Sequence, residues 1–74
     1  MVGLMKKITE NIEYEGLPLM HTELRSALKD FHSSHPFQTG IDWQFKTLWA
    51  VLEDQDAFAF SLKYPQFANR FKDV

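Results

Sequence analysis

The densest apolar run of the chain, Ile41–Leu52 (IDWQFKTLWAVL), holds both tryptophans. It constrains the fold more than any other stretch. Read with a helical period, Ile41, Phe45, Leu48, Trp49 and Leu52 share one face, while Asp42, Lys46 and Glu53 fall opposite. Thr39, followed three residues later by Asp42, reads as a capping box. Gly40 inside that first turn costs ~1 kcal/mol relative to alanine. A strand reading competes, because Ile41, Trp43, Phe45, Thr47, Trp49 and Val51 alternate with period two. A run this long without a turn signal exceeds the usual strand, and Leu48, Ala50 and Leu52 would make the other strand face apolar too. A helix is the expected state. On it Trp43 projects away from the core face, where it packs against another helix or anchors a partner.

The flanking segments extend a helical reading. Met1, Leu4, Met5, Ile8 and Ile12 recur with helical spacing, which predicts a helix from about Leu4 to Tyr14, stopped by Gly16 and Pro18. The rival is an extended segment through Ile8, Ile12 and Tyr14, its apolar face interrupted by Glu10. Leu17–Met20 reads as a connector. Thr22 then caps a helix over Glu23–His32, with Leu24, Ala27, Leu28 and Phe31 as its apolar stripe and Met20 extending it backwards. Glu23, Arg25, Lys29 and Asp30 take the solvent side. Ser33–Gly40 (SSHPFQTG) is a loop, with Phe37 plugging the core. Asp54 and Asp56 cap a helix over Ala57–Lys63, which is apolar on more than one side. Pro65 opens a last helix carrying Phe67, Phe71 and Val74.

The expected fold is therefore all-α: one domain over residues 1–74, a bundle of four to five short helices, with a strand as the alternative for the N-terminal segment. A chain of 74 residues without cysteine has neither a disulfide nor a thiolate metal site to staple it. Chains this small often complete their core by oligomerising. Hydrophobic residues make up 45% of the sequence and eleven are aromatic, enough for a core and for a homodimer interface as well. Dimerisation would then complete the bundle.

Ten acids and eight bases are mixed along the chain for a net charge of −2. No basic tract suggests phosphate-backbone binding, so nucleic acid is a secondary reading. No apolar run approaches the ~20 residues that span a bilayer, and MVGLMKK lacks a signal-peptide apolar core. A cytoplasmic location is the default, and the lack of cysteine fits it.

No residue set carries a catalytic or cofactor motif. His32 and His35, with His21 upstream, could share a metal, but Pro36 follows at once and the wider ligand spacing is missing. Glu53, Asp54 and Asp56 form an acidic corner that a capping role explains. Ser33, Ser34 and His35 are too close in sequence for triad geometry. Lys63, Arg70 and Lys72 interleave with Phe60, Tyr64, Phe67 and Phe71 as in single-strand binders, yet the phenylalanines repeat at core spacing. The function expected is a non-enzymatic protein–protein interaction module, a small regulator or adaptor of bacterial or phage type, self-associating and partner-binding through Trp43, Phe60 and Tyr64. The alternatives are a nucleic-acid-binding regulator, with helices around SSHPFQTG, and a metal-binding protein or enzyme using the histidines.

Overall fold

A computed structural model describes residues 4–14, 16–18 and 21–74. The main strands are β1 (Met5–Asn11), β4 (Gln38–Asp42), β5 (Thr47–Glu53) and β6 (Lys72–Asp73). They form a four-stranded antiparallel sheet in the order β4-β5-β1-β6. Two short strands, β2 (Glu13–Tyr14) and β3 (Leu17–Pro18), pair with each other. The helices are α1 (Glu23–His32) and α2 (Asp54–Lys63), followed by a 3-10 helix over Pro65–Arg70. The architecture is mixed α/β, which overturns the all-α bundle.

The correction has a specific cause. Ile41–Leu52 is a hairpin, in which β4 and β5 are joined by the turn Trp43–Lys46. Asp42 does not cap a helix. Its carboxylate accepts hydrogen bonds from the Gln44 and Phe45 amides at 3.1 and 3.3 Å, the side-chain bond that Asp uses to start a turn. Lys46 closes the turn at φ +53°, a left-handed conformation uncommon for a side chain of its length. No glycine, asparagine or proline marks this turn in the sequence, so the period ran on through it. The supposed helical face is dispersed. Leu48 and Leu52 point into the core, Trp49 lies on the opposite sheet face, and Phe45 is exposed at the turn.

The N-terminal segment is likewise a strand and not a helix. β1 pairs with β5 from Met5↔Glu53 to Asn11↔Thr47. Ile8 and Ile12 are four residues apart, a spacing that shares a face in a helix and in a strand alike. Gly16 lies between β2 and β3 at φ +80° and stops no helix. After the 3-10 helix the chain enters β6 instead of continuing helically to Val74. α1 keeps its expected bounds, and the Thr22 hydroxyl accepts from the Arg25 amide at 3.0 Å. α2 begins at Asp54, so Asp54 and Asp56 sit in its first turn, where carboxylates suit the helix dipole. Met1 and Met20, assigned to apolar stripes, lie outside the described residues.

The core lies between one face of the sheet and the helices. Ile8, Leu48, Ala50 and Leu52 project from β1 and β5 to meet Leu24, Ala27, Leu28 and Phe31 of α1, Ala57 and Phe60 of α2, and Phe67. Phe60 is fully buried at the centre of an aromatic cluster, edge-on to Phe31 and Phe71 at 5.3 and 5.7 Å. Glu10 shares the inward face of β1 with Ile8, and Arg70 reaches it from the 3-10 helix at 3.5 Å while donating to the Thr9 carbonyl. On the outer face Trp49 lies across Gly40. A Cβ there would come within 2.9 Å of its ring, so glycine is what allows the close approach.

Candidate functional site

β4 supplies little bulk to the inward face. In register with Ala50 and Leu48 stand Thr39 and Ile41, so one large apolar side chain is all the strand offers there. α1 cannot close against so thin a strand. Between them lies a cleft of about 830 Å³. Arg25, Ser26, Leu28, Lys29 and His32 line it from α1, Thr39, Gly40 and Ile41 from β4, and Leu48 from β5. His21 and Trp43 also contribute. Leu28 and Leu48 are buried and Ile41 half-buried, which makes an apolar floor. Trp43 is 57% exposed.

The charge on the lining is one-sided. Among the described lining residues there are two permanent cations, two histidines and no carboxylate. This follows from how α1 is written. At ~100° per residue, Arg25, Lys29 and His32 fall on one flank of the buried stripe, and Glu23 and Asp30 on the other. The acidic flank is turned toward α2 and the 3-10 helix and is closed by bonds. Asp30 accepts from the Lys63 ammonium at 2.8 Å and from the Tyr64 hydroxyl at 2.6 Å, and Glu23 accepts from the Gln66 amide at 2.9 Å. The Lys63 hydrogen bond first, then that of Tyr64, holds the Asp30 carboxyl below its usual pKa, while Asp30 raises the pKa of both donors.

The backbone of β4 adds a second feature. Among the described residues β4 is an edge strand, paired on one side only, by β5. Alternate residues of such a strand leave N–H and C=O groups without a ladder partner. The unpaired edge runs beside the cleft, so backbone donors and acceptors, an apolar floor and a basic flank adjoin one another.

The three residues expected to bind a partner are not brought together. Trp43 lines the cleft, Phe60 is fully buried, and Tyr64 is half-buried with its hydroxyl on Asp30. The apolar surface of α2 lies instead on Phe58 and Leu62, 67% and 69% exposed. The histidines diverge: His32 lines the cleft, while His35 stacks on Phe31 at 4.4 Å and meets the Ser34 hydroxyl at 2.9 Å. Among the described residues no three His, Asp or Glu side chains converge as metal ligands. Asp54 pairs with Lys6. The chain after α1 leads into a strand, so SSHPFQTG does not join two helices. Lys63 and Arg70 are held by Asp30 and Glu10. No described helix is long and apolar enough to cross a membrane.

Sequence reading missed Lys29, His32 and Ile41 as one site. The flank segregation of α1 is the signal that the sequence offers, but a helical β4 gives the cleft no opposite wall. Comparisons with family models, curated proteins and solved structures give no match to this chain.

Proposed function

We propose that this chain is a non-enzymatic protein-binding module that takes an extended segment of a partner as an added strand on β4, within the cleft beside α1. The observation that carries the reading is the juxtaposition of an open edge strand with an apolar-floored cleft. In strand addition, main-chain hydrogen bonds supply affinity and pockets for alternate side chains supply specificity. Trp43 stands at the cleft as a large aromatic anchor, the residue type most enriched at binding hot spots.

Selection from a random-peptide display library, followed by amide hydrogen exchange of the complex, tests the reading. Binders should slow exchange along β4, and Trp43→Ala should weaken them by ~2 kcal/mol, about thirtyfold, with little change in folding stability. Binders that protect other surfaces and ignore Trp43→Ala would refute it.

Self-association is a second reading, favoured by Phe58 and Leu62, one turn apart on α2 and away from the cleft. Sedimentation equilibrium against concentration decides it, since a dimer broken by Phe58→Lys would place the interface there.

A further inference from the structure

We infer that the segment taken up beside β4 is the C-terminal end of the partner chain. It lies extended and antiparallel to β4, turns apolar side chains to the Ile41–Leu48 floor, and brings its free α-carboxylate to Lys29 near the closed end of the cleft. This rests on the strand-addition reading above and names the part of the partner that is bound.

The shape of the cleft sets the direction. Five residues, Ser33–Phe37, carry the chain from the end of α1 to the start of β4. The two walls therefore run in opposite directions, and the connection closes one end between them. Phe37 packs against the core there and meets His32, itself a lining residue, edge-on at 4.9 Å. At the other end stand His21, before α1, and Trp43, after β4, where no described segment joins the walls. A strand entering past Trp43 runs against the direction of β4 and stops at the connection.

The charge at the closed end is the second observation. Lys29 lines the cleft from the last turn of α1 and has no ion-pair partner among the described residues. Lys7 and Lys72 share that state, but they face each other in register across β1 and β6 and line no part of this cleft. Arg25 is engaged within the chain and takes no part. The described lining holds no carboxylate to repel an anion. The last carbonyls of α1 are covered as well. The Ser33 hydroxyl donates to that of Asp30 at 2.7 Å, and the Ser34 and His35 amides donate to that of Phe31 at 3.2 and 2.9 Å.

One cation at a closed end suits a chain terminus. Pleating commits each side chain of a strand to one face, so the floor takes the inward-facing residues. The α-carboxylate belongs to the backbone and is free of that alternation. It reaches Lys29 while the inward side chains stay on the floor. Capture of a C-terminal carboxylate is a recurring mode of peptide recognition.

Three N-acetylated peptides test the inference. All share one short sequence that alternates threonine with valine. The first ends as a free acid, the second as an amide, and the third continues into a glycine–serine tail. Binding is read from tryptophan fluorescence and from amide exchange along β4, at low and high salt. The free acid should bind about tenfold more tightly than the amide at low salt, and the tailed peptide no better than the amide. High salt should shrink the ratio, and Lys29→Gln should abolish it while circular dichroism shows an unchanged fold. If all three peptides protect β4 equally, the terminus is wrong and strand addition stands. If the tailed peptide matches the free acid, or the preference survives Lys29→Gln, the carboxylate does not sit at Lys29 and the inference fails. If none of the three protects β4, strand addition falls together with the inference.

Discussion

The two edges of the sheet are finished in opposite ways. β6, at one edge, is two residues long and consists of Lys72 and Asp73. Asp73 is ion-paired with Lys6, and Phe71, just before the strand, stacks edge-on against Phe60. A short, charged edge of this kind is poorly suited to accept another strand. β4, at the other edge, has five residues, Gln38–Asp42, and its single charge is committed to the turn that follows. No proline or lysine interrupts it. The difference teaches that the open edge is not a default of the fold, because the same molecule closes the other one. α1 repeats the contrast, with its acidic flank bonded toward α2 and its basic flank lining the cleft beside β4.

The largest effect should come from the closed side. Phe60→Ala removes a fully buried ring that contacts Phe31, Tyr64, Phe67 and Phe71. It should cost ~3–5 kcal/mol by chemical denaturation, a large share of the stability of so small a domain. Loss of amide protection in β6 ahead of β4 and β5 would sharpen the comparison, whereas a marginal change would break it.

A smaller effect is expected on the open side. Gly40→Ala drives a methyl group into the Trp49 ring, which must shift outward. Overpacking of this kind costs ~1–3 kcal/mol, and the half-buried indole places the expected loss near the lower limit. A denaturation midpoint equal to wild type would show that β4 does not depend on the close approach.

The smallest effect concerns the acidic flank of α1. The folded Asp30 carboxyl has a pKa below its ordinary value. Its contribution to stability is therefore present above the unfolded pKa and is lost as pH falls through the folded one. Asp30→Asn should lower the melting temperature slightly at neutral pH, and the gap to wild type should close in acid. The raised pKa values of Lys63 and Tyr64 act with the opposite sign, their contribution fading as pH rises through the folded values. A gap that persists unchanged in strong acid would show that the Asp30 charge contributes nothing.

How much of this was legible in the sequence depends on the parity of the spacings. Leu24, Ala27, Leu28 and Phe31 include separations of three and seven, which place residues on opposite faces of a strand and on one face of a helix. α1 could be read for that reason, and its Thr22 cap confirmed the start. Ile8 with Ile12, and Leu48 with Leu52, are each separated by four, which suits both periods. Pairing between β1 and β5 decided between them, and that contact is not local. Phe45 and Trp49 supplied the odd spacings that favoured a central helix, yet neither is a core residue. For the site, Trp43 was legible as an outlying indole and the flank charges of α1 could be counted, but the cleft needs β4 as its second wall.

The pairing of β1 with β5 bears on how the chain reaches this structure. β4 and β5 close through a four-residue turn, whereas residues 12–46, nearly half of the chain, separate β1 from β5. Local closure is fast, and distant strands meet only after a costly loss of chain entropy. The hairpin is therefore available as an early nucleus, and β1 docks onto it late. During synthesis β1 emerges well before β5 and must wait for it. Lys6, Lys7 and Glu10 interrupt its apolar pattern. Charges placed in this way act as gatekeepers, keeping a waiting strand from pairing with its counterpart on a neighbouring unfinished chain.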